Sequence, residues 1–265
     1  MGLAGMLSEW GLFRKKLEDY YIQQEISALN FRCKYQEECG INGGNSVPAK
    51  AAYVGEKYGV KGIPKLLFLS LDPGESDKDP AKRTLKGVFE ATLSDGLGKK
   101  NQHWYRTHQF AAVVFHELLG ADFVGKPYDE ESVKEAQKYF AHTNSAKCCQ
   151  NKENNKQADY PLFRNCLENV LGELEVLSPD ILVTQGQPAR DVINHALKNG
   201  TYTSTDEENI SHAGKGSDFA VLTTKNDRKI IWVHHYHPRC YGRFKKNLES
   251  YLTYAKTIKK IQENT

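Results

Sequence analysis

The chain has no long apolar run and no strong charge of one sign, and each absence excludes a class of protein. No apolar stretch approaches the roughly 18 residues that a membrane-spanning helix needs. The opening residues, MGLAGMLSEWGLFRKK, place no basic stretch ahead of a long apolar core, so we expect no export signal and a cytoplasmic location. With 36 basic and 33 acidic residues the net charge is only +3, which permits a nucleic-acid partner without indicating one.

Cysteine is too sparse for a disulfide scaffold. Six cysteines in 265 residues, without an export signal, favour thiols or metal ligands over disulfide bonds. Cys33 and Cys39 lie in FRCKYQEECG, and Cys148 and Cys166 lie on either side of a polar stretch. Soft thiolates on separate segments indicate a structural metal centre, although the short paired-cysteine knuckles of many zinc sites are missing. The residues alone leave three interpretations open: an iron–sulfur cluster, a zinc ion, or buried free thiols.

The pattern of apolar residues predicts alternating strands and helices. Strands are predicted at 65–71, 139–143, 181–184, 219–223 and 229–234, and helices at 7–29, 85–93, 104–119, 161–177, 188–198 and 241–261. This alternation is typical of one α/β domain with a largely parallel sheet. We expect that domain to cover residues 1–265, with an N-terminal helix and cysteine segment at about 1–60.

Four polar residues lie just past the ends of predicted strands: Asp72, Asn144, Gln185 and His237. Ligands of parallel α/β sheets bind at the carboxyl ends of the strands, so an aspartate turn (SLDPGES) and a histidine turn (HHYHPRCYGR) there indicate an active site. Taken singly, each residue has a plainer interpretation as an Asx-Pro turn, a loop histidine or a turn residue that ends a strand. The ordered set favours the functional interpretation.

The same segments resemble the uracil-DNA glycosylase superfamily, and most closely its iron–sulfur members. SLDPGES resembles the first active-site motif of that family, and HHYHPRCYGR resembles the second. HTNSAKC, followed after Cys166 by LENVLGELEVLSPDILVTQGQPAR, is similar to the stretch that links two cluster cysteines. The order of the pieces is that of the family, and they extend from about Cys33 to Arg243.

The resemblance implies a fold, a reaction and a cofactor. The expected fold is a three-layer α/β/α domain around a central, largely parallel, four-stranded sheet. The expected reaction is hydrolysis of the N-glycosidic bond of uracil, or of a related lesion base, in DNA, which leaves an abasic site. The expected cofactor is a 4Fe–4S cluster, with zinc as the alternative, on Cys33, Cys39, Cys148 and Cys166. DNA is the expected partner, a membrane is not, and the protein is expected to be a monomer.

The chemistry of that reaction assigns roles to the motif residues. Asp72 would hold the attacking water beneath the sugar, and His237 would donate to the base oxygen that becomes anionic. Asn144 would pair with one edge of a pyrimidine. The remaining predicted substrate contacts are Leu71, Pro73, Gly74, a stacking Phe89 and a phosphate-binding Arg243. Two basic and aromatic stretches are candidates for DNA contact: Lys99, Lys100, His103, Trp104, Tyr105 and Arg106, and Arg239, Tyr241, Arg243, Lys245 and Lys246.

The chain departs from the family pattern at several points. Ser70 stands where the family has glycine, and Leu71 stands where it has a glutamate or glutamine. The usual Gly-Arg-Pro-Phe loop is missing, and Cys33 and Cys39 are further apart than the corresponding family pair. A second interpretation is therefore an iron–sulfur nucleic-acid-binding protein that lacks the glycosylase reaction. A third is a hydrolase of small nucleosides, which would not need the basic loops.

Overall fold

A central mixed sheet with helices on both faces forms the part of the chain that the structure describes. In this computed structural model the described residues are 9–41, 46–73, 78–94, 102–150, 158–204, 218–238 and 247–264. The strands within them are β1 (Ser46–Val47), β2 (Tyr53–Val54), β3 (Leu66–Ser70), β4 (Phe140–Asn144), β5 (Cys149–Gln150), β6 (Ile181–Gln185), β7 (Tyr202–Ser204), β8 (Asp218–Thr224) and β9 (Lys229–His235). The helices are α1 (Glu9–Gln23), α2 (Pro80–Arg83), α3 (Leu85–Ser94), α4 (Gln102–Leu119), α5 (Glu130–Ala136), α6 (Tyr160–Leu177), α7 (Gln187–Lys198) and α8 (Asn247–Glu263).

The main sheet has seven strands in the order β2-β4-β3-β6-β9-β8-β7. Its centre, β4-β3-β6-β9, is parallel, whereas β2, β8 and β7 pair antiparallel at the two sides. Strands β8 and β9 are joined by a short turn, and a turn of that length can only connect antiparallel neighbours. The α/β class and the parallel centre are therefore confirmed. The predicted count of four strands is not, because antiparallel strands extend the sheet on both sides.

Alternate residues of each central strand enter two separate cores. On β3, Leu67 and Leu69 pack in the core that α1, α6 and α7 cover, and Leu66 and Phe68 pack in the core that α4, α5 and α8 cover. All five β3 residues are buried, which explains why the strand reads as a continuous apolar run. Full burial of each such side chain contributes about 1.5–3 kcal/mol. These two cores make the described fold three-layered.

Helix α6 carries clear start and stop signals in the sequence. Asp159 accepts a hydrogen bond from the Leu162 amide at the start, and a proline occupies the first turn. The helix ends at Ser178, which is left-handed (φ +48°) and precedes Pro179. The predicted range is therefore confirmed to within one residue.

Other predicted elements are shifted or were missed. Helix α1 ends at Gln23 rather than at 29, because Glu25 adopts a left-handed conformation (φ +56°) and begins a turn. The short helix predicted at 85–93 is α3. Helix α5 and the edge strands β2 and β7 were not predicted. No helix among the described residues is long and apolar enough to cross a membrane.

Candidate active site and cysteine site

The predicted motif residues follow strands that are neighbours in the sheet. Leu71 and Asp72 come directly after β3, Asn144 ends β4, and His237 lies two residues after β9. Since β4, β3, β6 and β9 run parallel, these residues all lie at the carboxyl ends of the central strands, on one side of the sheet. Asp72, Pro73 and His237 are half-buried, and Asn144 is buried. Gly74 and Arg243 lie outside the described residues.

The aspartate and histidine turns meet at Gly186, directly after β6. A Cβ atom added to Gly186 would lie 2.9 Å from Leu71 Cδ2 and 3.2 Å from His237 Cβ. The Gly186 backbone is left-handed (φ +94°), and its amide donates to the His235 carbonyl at 2.8 Å. Only glycine combines this conformation with so close an approach. The three turns therefore contact one another at the sheet edge.

Asn144 is tied to the aspartate turn through the backbone. Ser70 and Asn144 are partners in the β3–β4 register. Beyond the strand, the Ser145 amide donates to the Ser70 carbonyl at 2.8 Å, and the Ala146 amide donates to the Leu71 carbonyl at 3.1 Å. The segment after β4 therefore continues alongside the segment after β3.

Ser70, which the sequence marks as a departure from the family pattern, is the centre of a buried polar network. Its Oγ lies 2.7 Å from Gln185 Oε1, 2.9 Å from His142 Nε2 and 3.2 Å from His103 Nε2. Gln185 Nε2 in turn lies 3.2 Å from Thr107 Oγ1. We call these five residues the Ser70 network. It joins β3, β4, β6 and the first turns of α4 beneath the candidate active site.

His237 lies on the outer side of this network. Its ring stacks on the His103 ring, with 4.6 Å between centroids and 7° between planes. One turn along α4 from His103, the Arg106 guanidinium donates to the Pro238 carbonyl. Helix α4 therefore supports both His237 and the proline that follows it.

Other histidines near the site are buried, and burial keeps His142, His235 and His108 neutral. Burial, and then the charge of His103, lowers the pKa of His142 well below its usual value. Burial lowers the pKa of His235 to about 4, and likewise that of His108 in α4. His234 is also buried, with Nδ1 3.0 Å from Thr184 Oγ1. Of the three histidines at the end of β9, only His237 is half-exposed.

Two predicted DNA-contact residues lie within the protein's aromatic packing. Phe89 is on α3, with ring centroids 5.3 Å from Trp10 and 6.2 Å from Tyr53. Trp104 is on α4 and packs edge-on against His142, with 4.6 Å between centroids. Lys99, Lys100, Arg239, Tyr241, Lys245 and Lys246 lie outside the described residues.

Four cysteines from three segments come together behind β4. Cys33 and Cys39 lie in the turns after α1, Cys148 follows β4, and Cys166 lies in α6. The Cys148 thiol donates to the Cys166 sulfur. All four cysteines are close enough that a negative charge on one sulfur would interact electrostatically with the others. None of the five cysteines in the described part of the chain forms a disulfide. We call Cys33, Cys39, Cys148 and Cys166 the cysteine site.

The surroundings of the cysteine site disfavour four charged thiolates. The hydrogen bond between Cys148 and Cys166 lowers the pKa of Cys166 and, together with burial, raises the pKa of Cys148 well above its usual value. Burial also raises the pKa of Cys33 and of Cys39. Four thiolates here need a compensating positive charge, as a metal centre supplies.

The donor chemistry fits an iron–sulfur cluster and also a tetrathiolate zinc ion. The Lys147 amide and Asn165 Nδ2 each lie 3.4 Å from a cysteine sulfur, Cys166 and Cys39 respectively, as N–H donors to metal thiolates do. Within the described ranges, no three histidine, cysteine or carboxylate side chains stand as the ligand set of a single ion. The four thiols therefore lie near one another without forming the coordination sphere of a single ion.

A buried ion pair lies between the cysteine site and the end of β4. Lys147 Nζ is 2.6 Å from Glu173 Oε1, and the two side chains are 2% and 0% exposed. The Thr143 hydroxyl donates to the other Glu173 oxygen and lies 2.9 Å from Lys147 Nζ. Because the Lys147 amide also contacts Cys166, this pair joins β4, α6 and the cysteine site.

Of the Ser70 network, the sequence places only Gln185 at the expected active site. The sequence marks His103 only as a candidate for DNA contact and indicates no role for His142. The available signal was a histidine in the largely apolar strand YFAHT, since buried polar side chains require partners.

Compared with known proteins, the chain matches no family model, and no curated protein has a significantly similar sequence.

Proposed function

We propose that this protein is a DNA glycosylase that hydrolyses the N-glycosidic bond of uracil or a related lesion base. The observation that supports it best is the meeting of the aspartate and histidine turns at Gly186, on the strand edge that also carries Asn144. These are the three segments that the reaction requires, and they come from parts of the sequence far apart. The proposal includes a monomeric protein that acts in the cytoplasm.

The reaction passes through an oxocarbenium-like sugar while negative charge builds on the departing base. Asp72 would hold and polarise the water beneath the sugar. His237 would donate to the base oxygen, and its half-exposed ring has the access that buried His234 and His235 lack. The amide of Asn144 would distinguish bases by its paired donor and acceptor. Leu71 and Pro73 would line the base pocket.

The cysteine site would hold a 4Fe–4S cluster, with zinc as the alternative. Such a centre supplies the positive charge that the four buried thiolates need, and its role here would be structural. It would tie the turns after α1 to the segment after β4 and to α6. The chain's own contribution is the pair of N–H donors from Lys147 and Asn165.

Cleavage of a uracil-containing oligonucleotide, with abasic sites revealed by alkali, tests the proposal under single-turnover conditions. His237→Ala should lower the rate on the order of 10²–10³-fold while DNA affinity stays nearly constant, because the lost donor acts mainly in the transition state. His195→Ala is the matched control, since His195 is a surface histidine of α7 paired with Glu168. Equal rates for His237→Ala and the wild type would contradict the assignment.

The second candidate is a nucleic-acid-binding protein of the same fold without the reaction. The observation in its favour is Ser70, whose side chain fills the position of the family's glycine with a buried hydrogen-bonding group. DNA binding by a metal-loaded wild-type protein that cleaves none of a panel of lesion-containing oligonucleotides would support this candidate.

A further inference from the structure

His103 occupies a position between the buried network and the open site that the proposed chemistry does not explain. It lies in the first turn of α4 and is half-buried. One side of the ring reaches Ser70, which is 1% exposed, and one face stacks on His237. The side chain therefore connects a fixed interior group to the proposed donor.

The hydrogen bonds of the Ser70 network determine which nitrogen of His103 carries the proton. Thr107 Oγ1 has two possible acceptors, the His103 carbonyl at 3.0 Å and Gln185 Oε1 at 3.3 Å. Donation to the nearer one, the His103 carbonyl, leaves Thr107 Oγ1 to accept from Gln185 Nε2. Gln185 Oε1 then faces Ser70 as an acceptor and takes the single hydroxyl proton. Both imidazoles must therefore donate to Ser70 Oγ, which assigns the proton of His103 to Nε2.

This arrangement leaves the His103 ring little freedom of rotation. The Nε2–H bond to Ser70 fixes one edge of the ring, and the neighbouring His142 ring, 6.0 Å away, limits tilting. Serine hydroxyls rotate freely when exposed, but this one is held between three partners. A ring fixed in this way can keep a second ring, stacked on it, in a single orientation.

We propose that His103 is a positioning residue: anchored by Ser70, it holds the His237 ring in the orientation needed to donate to the leaving base. The kinetic part of this proposal rests on the proposed glycosylase function, and the geometric part does not. A glycine in place of Ser70 could not accept the hydrogen bond from His103. The serine, which differs from the pattern of the family that the sequence resembles, therefore has a function in this chain.

The stacked pair also has an electrostatic consequence. Two parallel rings 4.6 Å apart do not readily carry two positive charges, so we expect protonation of one ring to disfavour protonation of the other. Among the described residues, the other charged or titratable groups near the pair include His142 and Lys50, Arg106 on α4, His235 at the end of β9, Tyr236 directly after it, and Asp72 after β3.

Two substitutions of His103 separate the stacking face from the anchored edge. His103→Phe keeps a flat ring for His237 and loses the donor to Ser70. His103→Gln keeps an amide donor for Ser70 and loses the ring. Ser70→Ala removes the anchor while leaving both rings in place, and it is the second route if a His103 variant does not fold.

The first readout is an NMR titration of the ring resonances of the nine histidines, with His237 assigned by its loss in His237→Ala. In the wild type His237 should titrate in two coupled steps. In His103→Phe it should titrate in one step, at a pH higher by about one unit, because the like-charged neighbour is gone. His103→Gln should also shift the His237 resonance by removing the ring current, and Ser70→Ala should broaden it. An unchanged His237 titration in His103→Phe and His103→Gln would overturn the proposal.

The second readout is the single-turnover rate on uracil-containing DNA. His103→Gln should lower the rate by about 10-fold to 100-fold at unchanged DNA affinity, as misplacement of a reacting group does. His103→Phe, which keeps the stacking face but not the anchor, should recover only part of that loss. Equal losses in both variants would overturn the stacking role. Coupled titrations in a wild-type protein that cleaves no oligonucleotide would retain the geometric inference and refute the proposed function.

Discussion

The Ser70 network and the cysteine site are both buried and polar, but only the first is complete from the protein's own groups. Around Ser70, each donor meets an acceptor, and burial keeps the His142 imidazole neutral. At the cysteine site, four thiols face one another, and any charge that they acquire acts against the others. A polar interior can therefore be completed by folding alone or by a bound cation, and the metal centre that we propose would make the cysteine site the second kind.

Removing one thiol should have the largest effect. Cys166→Ser should abolish the broad absorbance near 400 nm expected of a 4Fe–4S protein, a rough value for thiolate-to-iron charge transfer. It should also lower the free energy of unfolding by about 4–5 kcal/mol, as the loss of a structural metal does. Absorbance spectra, metal analysis and denaturant unfolding measure these changes.

Cys149→Ala is the matched control, because Cys149 is buried next to Cys148 without being assigned to the site. It should keep the absorbance. A colourless wild type with one zinc ion would replace the cluster by zinc, and a wild type purified from iron- and zinc-containing medium with neither metal would contradict both.

The ion pair between the two regions should be the next most sensitive point. Lys147→Met leaves the Glu173 carboxylate buried without its cation, which should cost about 3–5 kcal/mol of unfolding free energy. The double variant Lys147→Met/Glu173→Met removes both charges and should recover most of that loss. Denaturant unfolding of the two single variants and the double variant checks this, and additive losses would show that the pair is not coupled.

Substitution of Gly186 tests whether the two turns must touch. Gly186→Ala forces a left-handed alanine and places its Cβ against Leu71 and His237, so it should destabilise by about 1–3 kcal/mol and slow cleavage. Gly200→Ala is a close control, because Gly200 is also left-handed (φ +72°) but an added Cβ there meets nothing within 4 Å. Equal activity in the two variants would mean that contact at Gly186 is unimportant to the site.

The buried histidines should give the smallest effect, a loss of stability in mild acid. Burial lowers the pKa of His108 and of His235 to about 4 in the folded protein, below the ordinary value of about 6.5. The unfolded chain therefore binds more protons between pH 4 and 6.5, so stability is full above 6.5 and falls as the pH is lowered through that window.

Each of these histidines should contribute a slope on the order of 1 kcal/mol per pH unit. Urea unfolding at several pH values measures it. His108→Asn keeps a donor for the Trp104 carbonyl and should reduce the slope; an unchanged slope would assign the acid sensitivity to other groups.

The elements with strong periodicity were predictable, and the lateral parts of the sheet were not. The parallel strand β3 reads as a continuous apolar run because both of its faces are covered, and α6 has start and stop signals in the sequence at its two ends. Strands β2 and β7, of two and three residues, are too short for any period to show. Their position depends on pairing with distant strands rather than on local sequence.

The candidate site divides in the same way. Asp72, Asn144 and His237 could be placed at one edge because each follows a strand. The partners of Ser70 could not, because His103 and His142 reach it from a helix and from a neighbouring strand, through contacts that no short sequence window contains. The serine was noticed only as an unexpected residue, and its significance came from the packing.

The short path from Asn144 to Cys148 has a consequence for how this protein can change over generations. Only three residues separate the residue proposed to select the base from a residue proposed to hold the metal. The amides of these three, Ser145, Ala146 and Lys147, are each bonded to another segment. A single inserted or deleted residue would break those bonds and displace one end or the other. Descendants of this gene should therefore vary in the identity of these residues but keep their number.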